Sequence, residues 1–154
     1  MTATSLVLAG RYHLGDNPGI FQDATFVGYV LALPLAVTLS TDQRGGDATF
    51  YIETHDIETW DADKWHGHPV RLTGPHGASE LGRLKDPGDT NGRMETFQLS
   101  IAKSKVEELL GGQSGAAVLR IEVEKQRAAP GLADDFVLTR LEASGLTARV
   151  GTPS

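Results

Sequence analysis

The chain has 154 residues, of which 40% are hydrophobic and 22% are charged, and these values are typical of an ordinary globular domain. It contains no cysteine, so disulfides, thiolate metal sites and cysteine nucleophiles are excluded. A formal net charge of −6 is repelled by the phosphate backbone, and no Lys/Arg-rich run offsets it, so nucleic-acid binding and a polybasic membrane patch are disfavoured.

Neither a secretory leader nor a membrane-spanning helix is expected. Arg11 interrupts the first apolar stretch too early for a signal peptide. The longest apolar run, 26–39, is shorter than the ~20 residues that a spanning helix needs, and it contains Pro34. We therefore expect a soluble chain without membrane insertion, in which 1–154 form one domain with a frayed tail at 151–154. The pattern assigns no compartment.

Apolar and polar side chains alternate along most of the chain, which is the period of half-buried β-strands. In 6–14, the even-numbered residues from Leu6 to Leu14 are predicted to face the core, with Arg11 and His13 on the opposite face. The segments that we expect to form strands are 6–14, 26–33, 35–39, 49–54, 70–73, 80–84, 97–101, 118–124, 136–143 and 146–150.

Turn residues indicate how these strands are connected. Pro34 cannot donate to a strand ladder and is predicted to separate 26–33 from 35–39. The glycine-containing loop 42–47 favours a hairpin between 35–39 and 49–54. Strands and helices do not alternate, so a doubly wound parallel sheet is disfavoured. We predict an all-β fold, an antiparallel, jelly-roll-like β-sandwich, with a closed barrel as the alternative.

One short helix is predicted at about 104–110. Ser104 and Glu107 fit a capping box, in which each side chain satisfies an exposed backbone N–H group of the other residue. Apolar residues form one face of this segment, and Gly111 is expected to end it.

The segment 58–68 carries both tryptophans of the chain, Trp60 and Trp65. A large amphipathic ring is suited to stacking on a sugar or to packing on the apolar surface of a protein partner. The alternative is that these rings close the end of the sandwich. We predict Trp60, Trp65 and Tyr51 as ligand-binding aromatic residues.

Three histidines, His66, His68 and His76, fall within eleven residues. Imidazole nitrogens are ligands for divalent transition metals, and a His-x-His pair places both rings on one face of a strand. A jelly-roll metalloenzyme of the cupin type would use such a set. The sequence departs from that pattern, because Glu80 lies twelve residues after His68. The alternative is that these are surface histidines.

Asp61 and Asp63 are similar to the start of a calcium loop, because alternate carboxylates can converge on one hard cation. An EF-hand is excluded, since His66 occupies the sixth position, where glycine is needed. A looser calcium site would be completed by Asp134 and Asp135, which directly precede a predicted strand. The alternative is that these carboxylates are solvated turn residues.

Three functions are consistent with these patterns. We favour a non-catalytic binding or assembly module that presents the 58–68 loop to a glycan, a protein partner or a copy of itself. The second is a metal-dependent jelly-roll enzyme using His66, His68 and His76, and the third is a structural shell or appendage subunit. The fold does not choose among them. The first is preferred because the strand pattern is complete, whereas every catalytic pattern is partial.

Overall fold

Two five-stranded sheets form the described part of the protein. The computed structural model describes residues 4–15, 19, 21–40, 46–55, 57, 67–85, 94–124 and 135–151. The helix and strands of this part are β1 (Ser5–Leu14), β2 (Thr25–Gly28), β3 (Val30–Leu39), β4 (Asp47–His55), β5 (His68–Gly74), β6 (Gly77–Leu84), β7 (Met94–Ala102), α1 (Lys103–Leu110), β8 (Ser114–Glu122), β9 (Phe136–Ser144) and β10 (Leu146–Val150).

The strand pairing is that of a jelly roll. Sheet A has the order β2-β1-β9-β4-β7, and sheet B has the order β10-β3-β8-β5-β6. Each pair of neighbours is antiparallel except β1 and β2. Strands from the two halves of the chain pair so that each pair encloses the next along the sequence: β1·β9, then β3·β8, β4·β7 and β5·β6. These successive pairs alternate between sheet A and sheet B, as in one long hairpin that has been rolled up. The predicted all-β sandwich is therefore confirmed, and the closed-barrel alternative is wrong.

The core lies between the sheets because the inward-facing residues of both are large and apolar. In sheet A, Phe50 and Ile52 are 0% exposed, and Ile52 lies opposite Leu141 of β9. In sheet B, Leu72 and Leu119 are equally buried and lie opposite each other. Complete burial of such a side chain contributes about 1.5–3 kcal/mol, so this layer holds the sheets together.

The strand β1 does not follow the predicted alternation. Leu6 is 51% exposed, whereas Val7 is buried and His13 is 0% exposed. Pairing with β9 shifts register twice, the second time between Ala9 and Tyr12. The first bulge turns Leu6 outward, so the prediction that Leu6 faces the core is wrong. His13 lies on the face opposite the core, as predicted, because its neighbour Leu14 belongs to the core. His13 is nevertheless buried, because Phe21 and Phe26 pack against its ring.

Pro34 lies inside β3 instead of separating two strands. Its carbonyl accepts a hydrogen bond from the backbone N–H of Gly151 at 2.7 Å, so this side of Pro34 faces β10. The strand β10 ends at Val150, which lies opposite Leu35 of β3. Pro34 is therefore just beyond the ladder between β3 and β10, and its missing N–H is not needed there. A proline is tolerated at such a place because no ladder bond is lost.

The predicted hairpin between 35–39 and 49–54 is wrong. The strand β3 pairs with β8 and β10 in sheet B, whereas β4 pairs with β7 and β9 in sheet A. The connection between β3 and β4 therefore crosses from one sheet to the other.

The helix α1 begins one residue earlier than predicted, and no side chain caps it. The predicted capping box is wrong because Ser104 lies inside the first turn. Gly111 ends the helix as predicted, with φ 76° and its N–H donated to the Glu107 carbonyl at 2.9 Å. Within the described residues, no helix has the length and hydropathy required to cross a bilayer.

A Leu119→Ala substitution is expected to lower the free energy of unfolding by about 2–5 kcal/mol, because it leaves a cavity between the sheets. The matched control is Leu6→Ala, since Leu6 is 51% exposed and its loss leaves no cavity. Urea unfolding measures both. Equal losses for the two variants would contradict the described core.

Candidate functional site

Most of the segments that carry predicted site residues connect strands at the same end of the sandwich. Strand direction places the ends of β1, β4 and β8 there, together with the starts of β5 and β9. The connections 58–66 and 125–134 therefore both start and finish at this end. We call it the loop end, and it is defined by the strand termini Leu14, His55, His68, Glu122 and Phe136.

His68, the first residue of β5, is 0% exposed. Its ring stacks on Phe136 of β9, with centroids 4.6 Å apart and an interplanar angle of 21°. Its Nδ1 atom accepts a hydrogen bond from the backbone N–H of Glu124 at 2.9 Å, so this nitrogen is unprotonated. His68 thereby joins the two sheets and fixes the chain just before the connection 125–134.

His13, near the end of β1, is also 0% exposed. Its Nε2–H donates to Oδ1 of Asp135 at 2.7 Å. Two aromatic rings pack against the imidazole in edge-type contacts. The distance from the imidazole centroid is 4.8 Å to the Phe21 ring and 5.0 Å to the Phe26 ring. The Nδ1 atom is buried and has no hydrogen-bond partner among the described residues. This arrangement fixes Asp135, the residue that follows the connection 125–134.

Gly15 allows the Asp135 carboxylate to lie against β1. Its φ is 142°, and a Cβ atom at this position would overlap the Asp135 side chain. The Gly15 N–H donates to the Gly28 carbonyl at 2.9 Å, which closes the end of β1 onto β2. A side chain at position 15 is therefore excluded by both backbone conformation and space.

The two ends of one connection are thus each held by a buried histidine. Glu124 is bonded to His68, and Asp135 is bonded to His13. Buried imidazole and carboxylate groups are costly unless they are hydrogen-bonded. Here one hydrogen bond restrains the chain just after β8 and the other restrains it just before β9. The arrangement can hold the residues that flank this connection in fixed positions, and connecting segments on such a rigid scaffold often carry binding residues.

The structure places four of the predicted site residues. His68 and Asp135 lie together at the loop end, as described above. Tyr51 lies on the outer face of sheet A, half-buried, and its hydroxyl is 3.5 Å from Oγ of Ser144, so it is not part of the loop end. The predicted residues that lie outside the described part of the chain are Trp60, Asp61, Asp63, Trp65, His66 and Asp134.

His68 and His76 are at opposite ends of the β5–β6 hairpin. The length of β5 separates them by about 20 Å at the usual rise per residue of a strand. His76 is exposed, and its backbone N–H donates to the Leu109 carbonyl at 3.1 Å. The described residues contain no group of three His, Asp or Glu side chains that could hold a metal ion. The structure does not bring His68 and His76 together.

A second concave surface lies on the outer face of sheet B. It is a shallow groove of about 280 Å³ with almost entirely apolar walls. The residues that line it are Pro34, Leu35, Thr73, Gly74, Pro75, Ala116, Ala117, Val118 and Gly151. Few polar groups are present to orient a small ligand, so the groove is a weaker candidate than the loop end.

The His13–Asp135 contact is the feature that sequence reasoning missed. Alternation places His13 on the face opposite the core, where the ring lies, but it does not indicate that Phe21 and Phe26 cover that ring. The bulges in β1 are also invisible to that rule. One signal was present: Gly10 interrupts the predicted strand, and an isolated glycine in a strand indicates a bulge. In the structure Gly10 has φ 154° and lies inside the shifted stretch.

An Asp135→Ala substitution is expected to lower the free energy of unfolding by about 1–3 kcal/mol, because it leaves the buried His13 Nε2–H without an acceptor. Asp135→Asn is expected to cost less, since its amide oxygen can still accept. Denaturant unfolding measures both. The control is Asp23→Ala, because Asp23 is 74% exposed and pairs only at the surface with Arg11. A loss no larger than that of the control would contradict the described contact.

A His68→Ala substitution is expected to speed hydrogen exchange at the Glu124 amide by about tenfold or more, relative to the Leu119 amide. The reason is that the substitution removes the acceptor of the Glu124 N–H group. Hydrogen exchange followed by NMR measures this ratio. His76→Ala serves as the control, because His76 lies at the opposite end of the hairpin. Unchanged relative exchange at Glu124 would show that His68 does not restrain this part of the chain.

No protein-family model matches the chain, and searches of curated proteins and of solved structures found no match.

Proposed function

We propose that this domain is a non-catalytic binding module that engages a glycan or a polypeptide at the loop end. One observation carries the proposal: His13 and His68 are fully buried and each restrains one end of the connection 125–134. A rigid sandwich in which the residues flanking the loops are fixed in this way is a common scaffold for recognition. Less conformational entropy is then lost when the loops contact a ligand.

The composition of the segment 58–66 supports the same proposal. This segment ends one residue before the buried pair Gly67–His68, and it contains Trp60 and Trp65. Aromatic rings supply a large contact area for a sugar face or for an apolar side chain of a partner. Asp61 and Asp63 of the same segment would accept hydrogen bonds from hydroxyl groups or would contribute to a calcium site.

The environment of the two buried histidines favours binding over catalysis by these rings. Neither ring is exposed, and a general acid or base must reach the proton that it transfers. His68 uses its Nδ1 lone pair to accept from the Glu124 N–H group, and His13 uses its Nε2–H to bond Asp135. These hydrogen bonds support a structural role for the two side chains in positioning loops.

The test is a screen of the purified domain against a glycan array and against a phage-displayed random peptide library. We expect a defined family of glycans or peptides to bind. Trp60→Ala or Trp65→Ala should then weaken binding by at least about tenfold, because an anchoring tryptophan contributes about 1.4 kcal/mol or more. Isothermal titration with the selected glycan or peptide measures the loss.

Tyr51→Ala is the matched control, since Tyr51 is an aromatic residue away from the loop end and its loss should leave affinity unchanged. Titration in EDTA and again with added Ca²⁺ shows whether carboxylates of the loop end bind the ligand through calcium. The proposal is wrong if neither screen yields a ligand. It is also wrong if affinity survives both tryptophan changes and is abolished by Val118→Arg, which fills the groove on sheet B.

A further inference from the structure

The strand β7 is an edge of sheet A with less protection against pairing than the other edges. Natural edge strands are short, bulged, charged or interrupted by proline. The edges β2 and β10 have four and five residues. The edge β6 has a register shift in its pairing with β5 and carries Glu80 and Arg83. By contrast, β7 has nine residues in unbroken register with β4, contains no proline, lysine or arginine, and has a single charged residue, Glu95, next to its first residue.

The direction of the β7 backbone groups follows from one hydrogen bond. The N–H of Lys103 donates to the Gly46 carbonyl at 3.1 Å, which continues the β4–β7 ladder. Because backbone groups alternate in direction along a strand, the odd-numbered residues of β7 bond β4. The residues whose N–H and C=O groups point away from β4 are Met94, Thr96, Gln98, Ser100 and Ala102. No described strand pairs with this edge of β7.

We propose that β7 pairs with β7 of a second copy of the chain, antiparallel and about a two-fold axis at Gln98. Antiparallel pairing is required because a two-fold dimer places the same strand on both sides of the axis. An axis at Gln98, the middle of the five outward residues, lets all five exchange backbone hydrogen bonds with the second copy. The two copies of sheet A then form one continuous sheet. This partner is independent of the ligand proposed for the loop end.

The outer face of β7 is complementary to itself in this register. Thr96 lies opposite Ser100 of the second copy, Gln98 opposite Gln98, and Met94 opposite Ala102. Hydroxyl and amide side chains form favourable cross-strand pairs, and no charged residue faces a like charge. Met94 is 56% exposed in the single chain and would be partly covered.

The inner face of β7 is complementary as well. Phe97 and Leu99 are only partly buried against the core of the single chain. In the proposed register Phe97 lies opposite Leu99 of the second copy, so both gain apolar contact. The carboxylate of Glu95 is near one end of the strand, so the two copies of it are far apart in the dimer.

Sedimentation equilibrium tests the pairing at concentrations up to about 1 mM protein. At that concentration about half of the chains are in dimers even if the dissociation constant is about 1 mM. We expect the average mass to rise from 16.5 kDa towards twice that value as concentration increases. The double variant T96K/S100K should be monomeric, because it places lysine opposite lysine across the interface. The double variant T96K/S100E should restore the dimer, because it places lysine opposite glutamate in both halves of the interface.

The two variants separate specific pairing from general charge effects. T96K/S100K brings the net charge of −6 closer to zero, so a non-specific association would become stronger in it. Both positions are exposed on the outer face, so thermal unfolding should show that each variant keeps the fold. A wild-type chain that stays monomeric over the whole range overturns the proposal. Dimerisation of T96K/S100K, or failure of T96K/S100E to dimerise, overturns it equally.

Discussion

Two buried imidazole rings hold the ends of one connection between the sheets, and the functional account depends on this constraint. His68 in sheet B accepts from the Glu124 N–H group and stacks on Phe136 of sheet A, while His13 in sheet A bonds Asp135. Each contact spans a large separation in sequence. Removing either ring would release one end of the connection between β8 and β9, without removing any part of the apolar core.

The jelly-roll topology places these contacts next to each other. Because the pairs of strands are nested, the ends of β4 and β8 and the starts of β5 and β9 meet at one end of the sandwich. The opposite end carries tight connections, such as the β5–β6 turn, and the helix α1. The proposed recognition at the loop end and the proposed association through β7 therefore use different parts of the molecule, and one need not obstruct the other.

The sequence predicts the class of fold well, because the two-residue period of apolar side chains directly reflects burial on one face of a sheet. It predicts local details less well where tertiary pairing overrides a local rule. Pro34 remains in a strand because its missing N–H falls beyond the end of β10. The segment 35–39 does not form a hairpin with its successor, because the nested pairing gives it a partner in β8.

The candidate site is harder to predict than the fold, because its contacts join residues that are distant in the chain. The position of Asp135 before a strand predicts a calcium ligand, and the alternation correctly predicts that His13 lies on the face opposite the core, but neither pattern indicates that the two side chains are bonded to each other. The ring is buried because Phe21 and Phe26 cover it, and the pairing of β1 with β9 brings it to Asp135. The spacing of histidines predicts His68 as a metal ligand. In the structure its Nδ1 atom accepts a hydrogen bond from the Glu124 backbone N–H, and the spacing does not indicate this contact.

The protonation of the two rings tests the central claim most directly. Long-range ¹H–¹⁵N NMR correlation at neutral pH reports which nitrogen of each imidazole carries a proton. The account predicts an unprotonated Nδ1 in His68 and a protonated Nε2 in His13, the latter with a proton that exchanges slowly with water. A protonated His68 Nδ1, or a His13 ring with rapidly exchanging protons, would contradict it.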